Sequence, residues 1–173
     1  MFYQRGSFMP SWIIEDDCLA PGKQIKIEYV GKNPFSAYQS SFGIFRKILE
    51  IDPADYWEKD FRWDISDDPR GFYVRMVIEK KMDARSSIYF EIVMQGKQPK
   101  DLEKPGNLTI LISAKLRTEY KLNTPFQQTS FYKGLLWLYN FFFYFKVRRG
   151  YIKICNDWIF RVRDAYKELL KIG

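Results

Sequence analysis

Four consecutive segments between Trp57 and Arg117 alternate apolar and polar residues, and this pattern restricts the fold more than any other feature of the chain. In the first, Trp57, Phe61, Trp63 and Ile65 oppose Glu58, Asp60, Arg62 and Asp64. In the second, Phe72, Val74, Met76 and Ile78 oppose Tyr73, Arg75, Val77 and Glu79. Ile88, Phe90, Ile92 and Met94 then oppose Tyr89, Glu91 and Val93, and Leu108, Ile110, Ile112, Ala114 and Leu116 oppose Thr109, Leu111, Ser113, Lys115 and Arg117. A period of two places alternate side chains on opposite faces of a strand. The segments are joined by turn signals at 66–71 and 82–84 and by a looser loop at 96–106, so neighbours pair as an antiparallel meander. Each strand has one wholly apolar face, which something must cover.

The cover comes from helices. Asn33-Pro34 reads as a helix start, and Phe35, Tyr38, Phe42, Phe45 and Leu49 follow at helical spacing as one apolar stripe. A second stripe of small residues, Ser36, Ser40 and Gly43, predicts a close neighbour on that side. Near the end of the chain Tyr151, Cys155, Trp158, Val162, Tyr166 and Leu169 form the apolar face of a final helix. Lys23 to Tyr29 alternates as a further strand, with Ile25, Ile27 and Tyr29 on one face. The expectation is an α+β fold: an antiparallel sheet of about five or more strands, with one helix in the N-terminal half and long C-terminal helices packed on its apolar face. Residues 1–22 read as an irregular arm too apolar to stay free, and 23–173 as a single domain.

Residues 131–145 contain nine Phe, Tyr or Trp, and Lys146, Arg148 and Arg149 follow directly. Thr129 or Ser130 caps a helix running through this block, whose polar stripe is Lys133, Trp137, Asn140, Tyr144 and Arg148; Gly150 bends or ends it. Three readings stand open: a buried helix filling the hollow of the sheet, one wall of an apolar ligand pocket, or a segment lying at a membrane interface with its bases meeting anionic headgroups. For the pocket, the candidate lining is Tyr38, Phe42, Phe45, Trp63, Tyr132, Trp137, Tyr139 and Tyr144. For an anionic partner, the candidate residues are Lys146, Arg148, Arg149 and Lys153.

Charge supports the second list. The net charge is +7, and from Lys146 to Lys171 eight Lys or Arg face three Asp or Glu. Such asymmetry suits an anionic membrane surface, an acidic protein or a nucleic acid, and equally a solvated helix face. Bases interleaved with stacking rings over Phe145–Tyr151 suit RNA, but no nucleic-acid motif accompanies them, so RNA ranks last of the three.

Several chemistries drop out. The chain has no histidine, which removes Ser-His-Asp and Cys-His catalysis and His-containing metal sites. The only cysteines, Cys18 and Cys155, lack the spacing of a zinc site; pairing across the fold stays open, and the expectation is two free buried thiols in a reducing cytosol. No phosphate-loop glycine pattern or nucleophile motif is found. The carboxylates Glu58, Asp60, Asp64 and Glu91, with Arg62, Arg75, Lys115 and Arg117, read as ion pairs on the polar face of the sheet. Asp64, Asp67 and Asp68 read as turn formers. No secretory leader pattern is present, and the longest uncharged run, Gly134 to Phe145, falls short of a spanning helix of about 20 residues.

The order strand, helix, antiparallel meander, long C-terminal helix over 23–171 resembles the helix-grip arrangement of the START/SRPBCC superfamily. That resemblance implies a curved sheet gripping the C-terminal helix around an apolar cavity, and it transfers no individual residue. The function expected from the whole is a cytoplasmic, non-enzymatic domain without cofactor or metal, holding an apolar or lipid-like ligand between sheet and helices. The alternatives are a peripheral membrane or protein-interaction module using the basic, aromatic C-terminal helices, and an RNA-binding domain.

Overall fold

A computed structural model of the chain describes residues 10–172. Six strands form one antiparallel sheet: β1 Ser11–Asp17, β2 Ile25–Lys32, β3 Tyr56–Asp64, β4 Arg70–Lys81, β5 Ser86–Gln98 and β6 Pro105–Lys121. Helix α1 spans Ser36–Leu49, α2 Ser130–Tyr139 and α3 Phe145–Leu170, with a single π turn, Asn140–Tyr144, between the last two. The α+β expectation is met.

The meander β3-β4-β5-β6 pairs in chain order. The free edge of β6 takes two strands end to end: β1 pairs with Lys115–Lys121 and β2 with Pro105–Ile112. Cys18 N–H still donates to the Ala114 carbonyl at 3.1 Å, so β1 and β2 act as one edge strand interrupted by an excursion over 19–24. Within the arm expected to be irregular over 1–22, the described part is therefore a paired strand over Ser11–Asp17. Trp12, Ile14 and Asp16 face the same side as Tyr120, Thr118 and Leu116 opposite them, so part of that arm's apolar content faces the helix side of the sheet. Phe8 and Met9 lie outside the described residues.

The inner face of the sheet is close-packed. Val74, Met76, Ile78, Ile88, Phe90, Ile92, Met94, Ile110, Ile112 and Leu116 are fully buried beneath α1 and α3. Helix α1 presents Ala37, Ser41, Phe45 and Leu49 to the core, a face rotated from the expected stripe, so Phe35, Tyr38 and Phe42 sit at its margin. The close neighbour is α3, whose Tyr166 hydroxyl donates to Ser41 Oγ at 2.8 Å; Gly43 faces open space, which corrects the small stripe predicted at Ser36, Ser40 and Gly43. The helix start is also revised. Asn33 adopts a positive φ of 46°, and its main-chain carbonyl, not its side chain, accepts from Ser36 N–H and Oγ.

Strand β3 departs from its period. The register slips between Glu58 and Asp60, leaving Lys59 as an extra residue. Phe61 and Trp63 therefore oppose Val74 and Phe72 on the inner face, whereas Trp57 opposes Val77 on the outer one. Trp57 and Phe61 are exposed at this edge, and Trp63 is half-buried under Phe35, with ring centroids 4.4 Å apart.

Helix α3 runs unbroken through Gly150 and buries Cys155, Ile159, Val162, Tyr166 and Leu170; Leu170, not Leu169, closes the face. Tyr151 and Trp158 pack beside it. Cys155 is bonded to Cys18 as a disulfide, replacing the two free thiols expected. It ties the middle of α3 to the interruption of the edge strand, and Asn156 Nδ2 donates to the Cys18 carbonyl at 3.1 Å alongside.

Candidate functional site

The segment from Thr129 to Arg149 meets the sheet along one narrow line. Thr129 caps α2, its Oγ1 accepting from Tyr132 N–H at 3.3 Å. Tyr132, Leu136, Asn140, Tyr144 and Arg148 then face inward, each four residues after the last. A spacing of four outruns an α-helix by about 40° per step. The wider π turn at Asn140–Tyr144 takes up that lag and keeps the line facing the sheet. Asn140 secures it: Oδ1 accepts from the Tyr120 hydroxyl at 3.0 Å, and Nδ2 donates to the Leu136 carbonyl at 2.8 Å.

The second anchor is Asp83, in the β4–β5 turn. Its Oδ1 accepts the N–H groups of Arg85 and Ser86 at 2.7 and 2.8 Å. Its Oδ2 accepts the hydroxyls of Tyr144 at 2.5 Å and Tyr151 at 3.0 Å. Burial alone would raise the Asp83 carboxyl, but these four donors outweigh it and hold its pKa below the usual carboxylate range. Burial, and then the Asp83 carboxylate, push the Tyr144 hydroxyl well up. Ser86 Oγ bonds both Tyr144 and Thr118 at 2.9 Å, so the π turn is pinned to two strands. A third anchor is Arg148, only 6% exposed and ion-paired to Asp16 of β1. It is not free to meet an anionic partner, whereas Lys146, Arg149 and Lys153 are exposed.

The polar groups of this segment thus turn inward and the apolar ones outward. Trp137 is 56% exposed, Phe141 60%, Phe142 64% and Phe143 71%; Phe131, Leu135, Leu138, Tyr139 and Phe145 are exposed as well. The rings stack on one another instead of on a core: Trp137 on Phe141 at 5.5 Å and Tyr139 on Phe143 at 6.0 Å between centroids. Bases border the ridge, with the Arg149 guanidinium 5.3 Å from the Phe145 ring. So many exposed rings on one segment are uncommon for a soluble domain, which scatters its exposed apolar residues singly. Among the described residues, no helix is long and apolar enough to cross a membrane.

The eight residues expected to line one pocket lie in separate places. Phe45 is in the core. Tyr38, Phe42 and Trp63 sit at the β3 margin, where the Tyr38 hydroxyl donates to Glu58 at 2.7 Å and Phe42 packs on Tyr56. Burial, and then Glu58, raise the Tyr38 pKa to about 12. Tyr132 contacts Phe126, Tyr144 is an anchor, and Tyr139 lies near Arg85, 5.8 Å from its ring centroid. Of the eight, Trp137 lines an apolar cleft of about 320 Å³ between β1 and the aromatic segment. A larger hollow of about 700 Å³ lies at one end of the sheet, lined by Glu28, Arg62, Asp64, Tyr73 and Lys97 among others. Charges on this polar face are taken up locally, Arg75 with Glu91 at 2.5 Å and Arg62 with Asp60 at 2.7 Å. Asp64 accepts from Ser66, and Asp68 from Lys100 N–H, as turn formers do.

Sequence reasoning missed Trp12, Asp16 and Asp83. For Asp16 a signal existed: a carboxylate two and four residues after Ile14 and Trp12 shares their face, and a charge there needs a partner.

No protein family matches the chain, and no curated protein matches it. Among solved structures a delta-endotoxin chain is similar at 10% identity and a TM-score of 0.29, over 67% of this chain and 63% of that one. A likeness at that level carries no argument.

Proposed function

We propose that the protein is a non-enzymatic, peripheral membrane-binding domain that docks through the outward aromatic ridge of α2, the π turn and the start of α3. The observation that carries this reading is the inverted helix: Asn140, Tyr144 and Arg148 are buried while Phe141, Phe142 and Phe143 face outward. Aromatic rings favour the boundary between headgroups and acyl chains, and the neighbouring bases suit anionic lipids, each contributing about 1 kcal/mol near such a surface. An apolar ligand held between sheet and helices has less support, because the inner face is filled by its own side chains. The strand order and the placement of α3 support relating the fold to the helix-grip arrangement. The Cys18–Cys155 disulfide favours an oxidising compartment over the cytosol, so the membrane surface in question faces that compartment.

Co-sedimentation with phosphatidylglycerol/phosphatidylcholine vesicles tests the reading, with single-stranded RNA as a parallel arm. The wild-type chain is expected in the vesicle pellet at low salt, with binding weakened at high salt. Replacing Phe141, Phe142 and Phe143 together by Ser should weaken binding about a hundredfold, on the order of 1 kcal/mol per ring, and leave the circular dichroism spectrum unchanged. Vesicle binding equal in the triple variant, or binding to RNA alone, contradicts it.

A further inference from the structure

From the outer face of the sheet we infer that the protein binds a neutral oligosaccharide in the hollow of about 700 Å³, a second site that shares no residue with the aromatic ridge. Strand register builds this hollow. One row of paired residues crosses five strands: Arg62 of β3, Tyr73, Gln95, Thr109 and Glu28 of β2. The next row is Asp64, Gly71, Lys97, Asn107 and Val30. Both rows face away from the helices, because the alternate residues Phe72, Met94, Leu108 and Ile27 are buried on the inner face. Four strand spacings of about 4.8 Å give the floor a width of roughly 19 Å, room for a short oligosaccharide. Gln95 lies about 30 Å along β5 from Ser86, which anchors the π turn, so the hollow and the ridge are at opposite ends of the sheet.

Three features select the occupant. First, Gly71 holds the floor open, and the fold does not require a glycine there. Its φ is not positive, and an added Cβ would meet only the Asp64 Cβ, at 3.9 Å. Gly96 and Gly106 differ, since a Cβ at either would meet a main-chain oxygen at 2.2 Å. A strand glycine that packing does not demand leaves room for a ligand to approach the backbone. Second, the charge of the lining cancels, Arg62 and Lys97 against Glu28 and Asp64. Asp64 and Lys97 flank Gly71 two strand spacings apart, roughly 10 Å, too far to pair with each other. Asp64 uses Oδ1 for Ser66 and keeps Oδ2 as an acceptor, while the Lys97 ammonium supplies donors on the other side. An ionic ligand would leave a charge unmatched, and among the described residues no three His, Cys, Asp or Glu side chains gather to hold a metal. Third, Tyr73, Gln95, Asn107 and Thr109 carry hydroxyl and amide groups that can both donate and accept, as sugar hydroxyls do. The Tyr73 ring, with the Arg62 guanidinium 5.6 Å from its centroid, adds an apolar surface for the C–H groups of a pyranose.

Titration of the full chain, followed by proton–nitrogen correlation NMR, tests the inference. The probes are maltotriose, cellotriose, chitotriose and mannotriose, with a sulfated chondroitin disaccharide as the charged comparison. At least one of the neutral trisaccharides should shift the side-chain amide signals of Gln95 and Asn107, with a Kd on the order of 1 mM. Gly71→Tyr fills the floor with a residue that suits a strand. It should keep the melting temperature at or above that of wild type and weaken binding at least about tenfold. Gln95 is exposed, so Gln95→Ala leaves the fold intact and should weaken binding about three- to tenfold through one lost hydrogen bond. No shift with any of the four at about 10 mM, binding undiminished in either variant, or preference for the sulfated disaccharide would overturn the site. Vesicle co-sedimentation of Gly71→Tyr should equal that of wild type, so the fate of this site is read separately from that of the ridge.

Discussion

Asp83 carries more of the aromatic segment than its place in a surface turn suggests, because one carboxylate accepts from Tyr144, Tyr151 and two main-chain N–H groups. Its pKa is lower folded than unfolded, so its contribution to stability is complete above the unfolded value of about 3.9 and fades as the pH falls through the folded value. Urea midpoints measured against pH should show this acid-side loss in the wild type and a flatter profile in Asp83→Asn. The turn itself was legible in Met82-Asp83-Ala84, but nothing local shows that hydroxyls some sixty residues on would find the carboxylate. Asp16 is the same case: its position on the apolar face was readable, and its partner Arg148 was not.

Strands β4, β5 and β6 followed their alternation residue by residue because one side of each is buried against helices, and a slip would expose the whole apolar set. Strand β3 did not, because Lys59 bulges out of an edge strand that has only one neighbour to enforce register. The aromatic segment was legible as a helix, down to its Thr129 cap. Its orientation was not, since periodicity shows which face is apolar and says nothing of what covers it. The cap supports a helix whose apolar side has no protein cover, so Thr129→Ala should cost about 1 kcal/mol locally. Hydrogen exchange should speed up over 130–139, with protection of β5 and β6 unchanged; equal loosening of the sheet would show that α2 is integral to the core.

For the whole molecule, the two ends of the architecture are joined by one covalent link. Cys18 and Cys155 are 137 residues apart in sequence, a separation no local pattern could reveal, and their bond fixes α3 to the edge strand beside the aromatic ridge. Replacing both by Ala should lower stability by about 2–4 kcal/mol, read from denaturation curves, and a reductant should do the same to the wild type alone. The resulting picture is a sheet closed on one side by α1 and α3, with a single helical segment displaying rings to the outside. In the function we propose, those rings enter a bilayer. A nitroxide at Phe142→Cys, compared with one at the exposed Gly43→Cys on α1, measures this directly through relative accessibility to oxygen and to a water-soluble nickel complex. On phosphatidylglycerol-containing vesicles the label at 142 should become oxygen-accessible and nickel-shielded while the label at 43 stays aqueous. An aqueous label at 142 on vesicle-bound protein would contradict the account.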